Sequence, residues 1–114
     1  MNPLPDADPA PAGACEGAES FALRVLGDSM APEFAHGDIV VIEPGGRVGD
    51  GRFVLAWADE QWTLRQLRGQ PGAWRLEALD PRCPIQPLAD LSAVRGVVIQ
   101  RARPGRRRET RHYT

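Results

Sequence analysis

The chain has 114 residues, of which 42% are hydrophobic and 25% charged. These ordinary globular proportions fit one compact domain and exclude a wholly disordered or collagen-like polymer. The formal net charge is −1 and the longest uninterrupted apolar run, Phe53 to Ala58, is six residues, far short of the ~20 needed to cross a bilayer. No membrane span is expected. The first twenty residues contain neither Lys nor Arg and no apolar stretch, so a secretory signal is not read there and a cytoplasmic location is the expectation.

The small net charge conceals two lopsided ends. Residues 1–20 carry Asp6, Asp8, Glu16 and Glu19 with no base, whereas residues 101–114 carry six Arg against Glu109. The first stretch is rich in Ala, Pro and Gly and offers little bulky apolar surface to offset the entropy of ordering, so it reads as a flexible acidic arm. The expected organisation is that arm (1–20), a folded domain (21–101) and a basic Arg-rich tail (102–114). Like-charge runs are commonly solvated. A weak nucleic-acid contact through Arg106, Arg107 and Arg108 is the sharper reading of the tail, because clustered Arg attracts a phosphate backbone without reading sequence.

Between the ends the signals are those of strands. Phe21 to Leu26 alternates in period two, and Ile39 to Ile42 is β-branched throughout. Gly45-Gly46, Asp50-Gly51 and Gly69-Gln70-Pro71-Gly72 punctuate further strands near 52–58, 61–68 and 73–79, with Asp59-Glu60 at a hairpin tip. Val94 to Ile99 is a last β-rich run whose Gly96 predicts a bulge or a close backbone approach. No window sustains a helical period. The predicted fold is mainly β, with one short helical turn around Pro32 to Ala35.

Cys15 and Cys83 lack metal-ligand spacing and lie in segments of different character, so both read as free thiols, with no metal and no cofactor expected. Trp57, Trp62 and Trp74 read as packing the core or a dimer contact.

The chemistry-bearing stretch is Val25-Leu26-Gly27-Asp28-Ser29-Met30-Ala31-Pro32, followed by His36-Gly37-Asp38 and the Ile39–Ile42 strand. A strand ends at Gly27, which permits an unusual backbone angle, and Ser29 stands exposed at the turn that follows. Such a turn aims a hydroxyl and neighbouring N–H groups at one point, as a nucleophile with an oxyanion hole requires. The plain alternative is a structural turn or cap. Asp28 and Asp38 sit beside glycines, where local hydrogen bonding is their expected work, and His36 reads as a surface turn residue or, alternatively, a general base.

Gly27-Asp28-Ser29-Met30, Pro32, His36-Gly37-Asp38, Gly51 to Ala56, Trp62 to Leu67 and Gly96 to Ile99 together resemble the peptidase domain of LexA, UmuD and the phage repressors, which are related to signal peptidases. The resemblance covers about Phe21 to Arg101. It implies a compact, mostly β fold, frequently a homodimer, with a link to the SOS response. In that family, the resemblance further implies, a Ser attacks the peptide bond and a Lys acts as its base. On this resemblance Ser29, with Met30 beside it, occupies the nucleophile position, and the place of the Lys is taken by Arg65.

That departure decides the expected mechanism. A buried Lys can shed its proton near neutrality and accept one from Ser. Arg, whose guanidinium loses its proton only far above the physiological range, is neutral in fewer than about one molecule in 10⁵ at pH 7. All fourteen basic residues are Arg, so no displaced Lys can substitute. Arg65 reads either as an ion-pair partner of Asp28 or Asp38, or as a binder of a carboxylate or peptide terminus near Ser29. The family's Ala-Gly cleavage bond has a counterpart in Ala12-Gly13, but Gly13 lies only sixteen positions before Ser29, closer than the resemblance would allow.

Three functions follow as expectations. The first is a pseudopeptidase serving as a dimerising or partner-binding regulatory module. The second is an active serine peptidase, self-cleaving or signal-peptidase-like, using Ser29 with a non-standard base. The third is a nucleic-acid-associated regulator acting through the Arg tail.

Overall fold

The computed structural model describes residues 19–105 and 110–113. They form one antiparallel sheet of β1 (Phe21–Arg24), β2 (Ile39–Glu43), β3 (Phe53–Ala58), β4 (Gln61–Arg68), β5 (Trp74–Glu77), β6 (Gln86–Leu88), β7 (Val94–Ala102) and β8 (Thr110–His112). The order is β1-β2-β7-β3-β4-β5-β6, with β8 also on β7. The mainly β expectation is met. The six strands read from the sequence correspond to β1–β5 and β7, while β6 and β8 were not anticipated.

Local chemistry explains the connections. Asp59 and Glu60 have φ of 58° and 65°, the pair of left-handed residues that a two-residue hairpin needs to match strand twist. They join β3 and β4 in register from Phe53↔Gln66 to Ala58↔Gln61. Gly96 lies at a register shift, opposite Leu55, with Arg95 the extra residue before Val94 meets Ala56. A Cβ on Gly96 would stand 2.7 Å from the Glu43 carbonyl oxygen, so the expected bulge and the close approach both occur here.

Both faces of the central strands are covered. Leu55, Leu64 and Val98 join Leu23, Val25, Met30, Phe34, Val40 and Ile42 in one apolar cluster. Val54, Ala56, Ala58, Leu67, Leu76 and Val97 form a second. This is why β3 reads as a continuous apolar run rather than an alternating one. Trp74 packs against the second cluster and Trp62 against the first. Trp57 remains 46% exposed, its ring meeting Trp62 edge-on at 5.1 Å.

Two details sharpen this outline. The segment expected to form a helical turn at Pro32–Ala35 is a series of turns without a helix. Its i→i+4 bond lies earlier, from the Phe34 N–H to the Met30 carbonyl at 2.9 Å, and Asp38 then donates to the Ala35 carbonyl at 2.9 Å, which ends the turn after one cycle. The sheet also reaches past residue 101. β7 continues to Ala102 and β8 pairs with it through Gln100↔His112, Arg101↔Arg111 and Ala102↔Thr110, so part of the presumed tail belongs to the sheet. Arg106, Arg107, Arg108 and Cys15 lie outside the described residues. Cys83 is a free thiol.

Candidate functional site

The loop from Val25 to Asp38 is tied across its base. Val25 donates to the Asp38 carbonyl and Gly37 to the Val25 carbonyl, each at 2.8 Å. Gly27 turns the chain at φ 90° and donates to His36 Nδ1 at 2.8 Å. An imidazole nitrogen that accepts carries no proton, so His36 serves here as a turn-closing acceptor. This geometry supports its reading as a turn residue. Met30 and Phe34 plug the loop into the first apolar cluster, 2% and 0% exposed. Their burial holds Ser29, the preceding residue, half-buried at the surface of the domain.

Ser29 is fixed from two directions. Its carbonyl accepts the Asp80 N–H at 3.0 Å. Its hydroxyl oxygen accepts from Arg65 Nη1, also at 3.0 Å. Arg65 projects from β4, where its backbone faces Val54 of β3, and the same Nη1 donates to the Leu64 carbonyl at 2.8 Å. The structure thus brings the side chains of Ser29 and Arg65 together across 36 positions of chain.

Asp38, one of the two acids considered as a partner for Arg65, pairs with Arg103. The Asp38 carboxylate is 2% exposed and is gripped by Arg103, Nε to Oδ1 and Nη2 to Oδ2, both at 3.0 Å. It also accepts the Ala35 N–H at 2.8 Å, the local turn role expected of it. Burial alone would raise the Asp38 carboxyl. The Arg103 fork, the Ala35 N–H and the charges of Arg103 and Arg101 outweigh burial and hold it below the ordinary carboxylate value. Asp28 caps its turn through its carbonyl, which accepts the Ala31 N–H at 3.1 Å.

Asp80 and Arg103 were missed by sequence reasoning. Asp80-Pro81 is a turn-initiating pair, and the Asp80 carboxylate accepts the Arg82 N–H at 2.9 Å and binds the Arg82 guanidinium at 2.8 Å. The Arg82 side chain and then its N–H hold that carboxyl down to about 2. Arg103 carried no local signal, because its partner lies 65 positions away.

Chemically, the site places a hydroxyl against a permanent cation. Hydrogen-bond donation to the Ser29 oxygen occupies one of its lone pairs and supplies no acceptor for its proton. Among the described residues no helix is long and apolar enough to cross a membrane, and no group of three or more His, Cys, Asp or Glu could hold a metal ion.

The sequence matches the Peptidase S24-like family over residues 2–99. The chain is also 31% identical over 107 residues to a LexA repressor of Syntrophobacter fumaroxidans (strain DSM 10017 / MPOB), the match covering 92% of this chain and 52% of that protein. It thus spans about half the length of this curated relative. The family match covers most of the sheet as well as the Ser29 turn and β4, so this chain belongs to the Peptidase S24-like family.

Proposed function

We propose that this chain is a Peptidase S24-like domain that has lost proteolysis and acts as a dimerising or partner-binding regulatory module. The observation that carries the reading is the Arg65 Nη1 bond to the Ser29 hydroxyl oxygen at 3.0 Å. A serine nucleophile must hand its proton to a neighbouring base as it attacks. A guanidinium is protonated in all but about one molecule in 10⁵ at neutral pH and cannot take that proton. It can polarise the hydroxyl and fix its rotamer, which favours recognition over turnover. Among the described residues Trp57 and Ile85 are the exposed large apolar side chains, and they offer apolar surface that a partner would use.

Incubation of the purified protein with a fluorophosphonate probe, followed by intact-mass measurement, tests the reading. The expected result is no adduct and no self-cleavage fragments at neutral or raised pH. In Arg65→Lys, an adduct on Ser29 that disappears in the additional Ser29→Ala variant is expected, because a lysine set beside buried Leu64 can deprotonate where arginine cannot. An adduct on Ser29 in the unaltered chain would instead establish an active serine peptidase with a non-standard base.

A further inference from the structure

The side chains of the C-terminal segment converge on one short stretch of chain. Arg101 Nη1 donates to the Glu33 carbonyl at 2.7 Å. Arg103 grips the Asp38 carboxylate at two points and reaches the Pro32 carbonyl at 3.4 Å. Arg111 Nε lies 3.3 Å from the Glu33 carboxylate, and the Tyr113 hydroxyl donates to that same carboxylate at 2.5 Å. The Tyr113 ring lies 5.5 Å from Phe34 and 5.8 Å from Phe53. These contacts fall chiefly on Pro32–Asp38, the half of the loop that follows Ser29 and Met30.

We propose that the described residues of the C-terminal segment, 101–105 and 110–113, form a strap that sets the position of the Ser29 turn, with Arg103 as its chief positioning residue. The route is short. Arg103 holds Asp38, whose carboxylate accepts the Ala35 N–H. The neighbouring Phe34 N–H bonds the Met30 carbonyl, and Met30 adjoins Ser29. On the far side Ser29 is held through its carbonyl by Asp80, so the turn is stretched between a fixed anchor and the strap.

The β8 end of the strap is the more readily detached. β8 is three residues long and exposed throughout, attached to the sheet through β7 and through the Tyr113 N–H to the Ile99 carbonyl at 2.9 Å. Short exposed elements open locally at far lower cost than the global fold. The β3–β4 and β4–β5 ladders make no use of it. A ligand or partner that displaced β8 would therefore release the Arg111 and Tyr113 contacts to Glu33 and loosen the loop that follows Ser29, while Arg103 and the central sheet stay in place.

Amide hydrogen exchange on the full chain, read by mass spectrometry, tests the proposal with Arg103→Gln, Arg103→Lys and Tyr113→Phe. In Arg103→Gln the amides of Ala31, Phe34 and Ala35 should exchange about tenfold faster or more, while those of Leu55 and Leu64 keep their wild-type rate. Arg103→Lys, which retains the charge with one contact, should fall between. Tyr113→Phe, which removes only the hydroxyl, should accelerate the same loop amides by a smaller factor and keeps the test open if Arg103→Gln folds poorly. Wild-type loop exchange in Arg103→Gln and Tyr113→Phe, or equal acceleration in the loop and in β3–β4, would overturn the strap.

Discussion

Asp38 and Arg103 stand 65 positions apart and meet in a two-point fork, both contacts at 3.0 Å. The carboxylate is 2% exposed and the guanidinium 28%, so the pair is desolvated on one side and wet on the other. Removing one partner of a fully buried pair costs about 3–5 kcal/mol, because the other charge is stranded. Exposure of Arg103 reduces that penalty, since water can solvate the remaining charge. Asp38→Ala is expected to destabilise the domain by about 2–3 kcal/mol, since the Ala35 N–H is orphaned as well. Urea unfolding with an unchanged m-value checks this.

The same pair gives an acid dependence with a definite sign. The folded Asp38 carboxyl lies below its ordinary value of 3.8, so its contribution is fully present above that value and is lost as pH falls through the folded value. The stability difference between wild type and Asp38→Asn should be constant from neutrality down to about pH 5 and shrink at lower pH. Parallel urea midpoints for the two proteins at every pH would show that Asp38 does not titrate with folding.

Tyr113 is the chain's single tyrosine, which makes its ionisation directly visible. Burial first, and then its hydrogen bond to Glu33, raise the phenol above its ordinary value of 10.0. Its contribution to stability is therefore complete below that value and disappears as pH rises through the folded value. Near-ultraviolet phenolate absorbance should not develop around pH 10–11 while the protein remains folded, and should appear at once on adding denaturant. In Glu33→Gln, which removes the anion facing the phenol, the absorbance should appear at lower pH.

These predictions draw on contacts that sequence patterning did not reveal, and the reasons are physical. β1–β5 and β7 were legible because apolar periodicity and turn residues are local signals. β6 was hidden by Pro87, which cannot donate to a ladder and argues against a strand. It is tolerated because β6 is an edge strand paired with β5 alone. β8 was hidden by its surroundings, a short Thr-Arg-His stretch in an Arg-rich run whose charge reads as solvation. The family resemblance pointed to the Ser29 turn and to Arg65, whereas nothing in the sequence pointed to the partner of Asp38. Two acids beside glycines look alike in sequence, and only the return of β7 alongside β2 brings Arg103 to one of them.

Gly96 is a case in which a sequence expectation can be given a magnitude. A methyl group there would meet the Glu43 carbonyl oxygen at 2.7 Å and Ile42 Cγ2 at 2.8 Å, and the former is backbone that cannot swing aside. Gly96→Ala should destabilise by about 1–3 kcal/mol, the usual range for forced overpacking. Thermal unfolding would show it as a lowered midpoint, whereas an unchanged midpoint would mean that β2 and β7 separate without cost at the bulge.

The β3–β4 tip makes the opposite prediction. Glu60 adopts φ of 65°, where a side chain with a Cβ carries roughly 1–2 kcal/mol of strain that glycine escapes. Glycine also loses more backbone entropy on folding, which returns part of that gain. The neighbouring Asp59, at φ 58°, is of the residue type that tolerates this region, so Glu60→Gly creates the Asp-Gly pair favoured in two-residue hairpins. The variant should gain about 0.5–1 kcal/mol, and the effect should appear as a higher urea midpoint without a change in m-value. Because Trp57 and Trp62 face each other two positions from the turn residues on either strand, their edge-on contact supplies an internal control. Tryptophan fluorescence should keep its folded maximum if the hairpin retains its register, and a shifted maximum together with lost stability would show that the acidic tip is needed for a contact of its own.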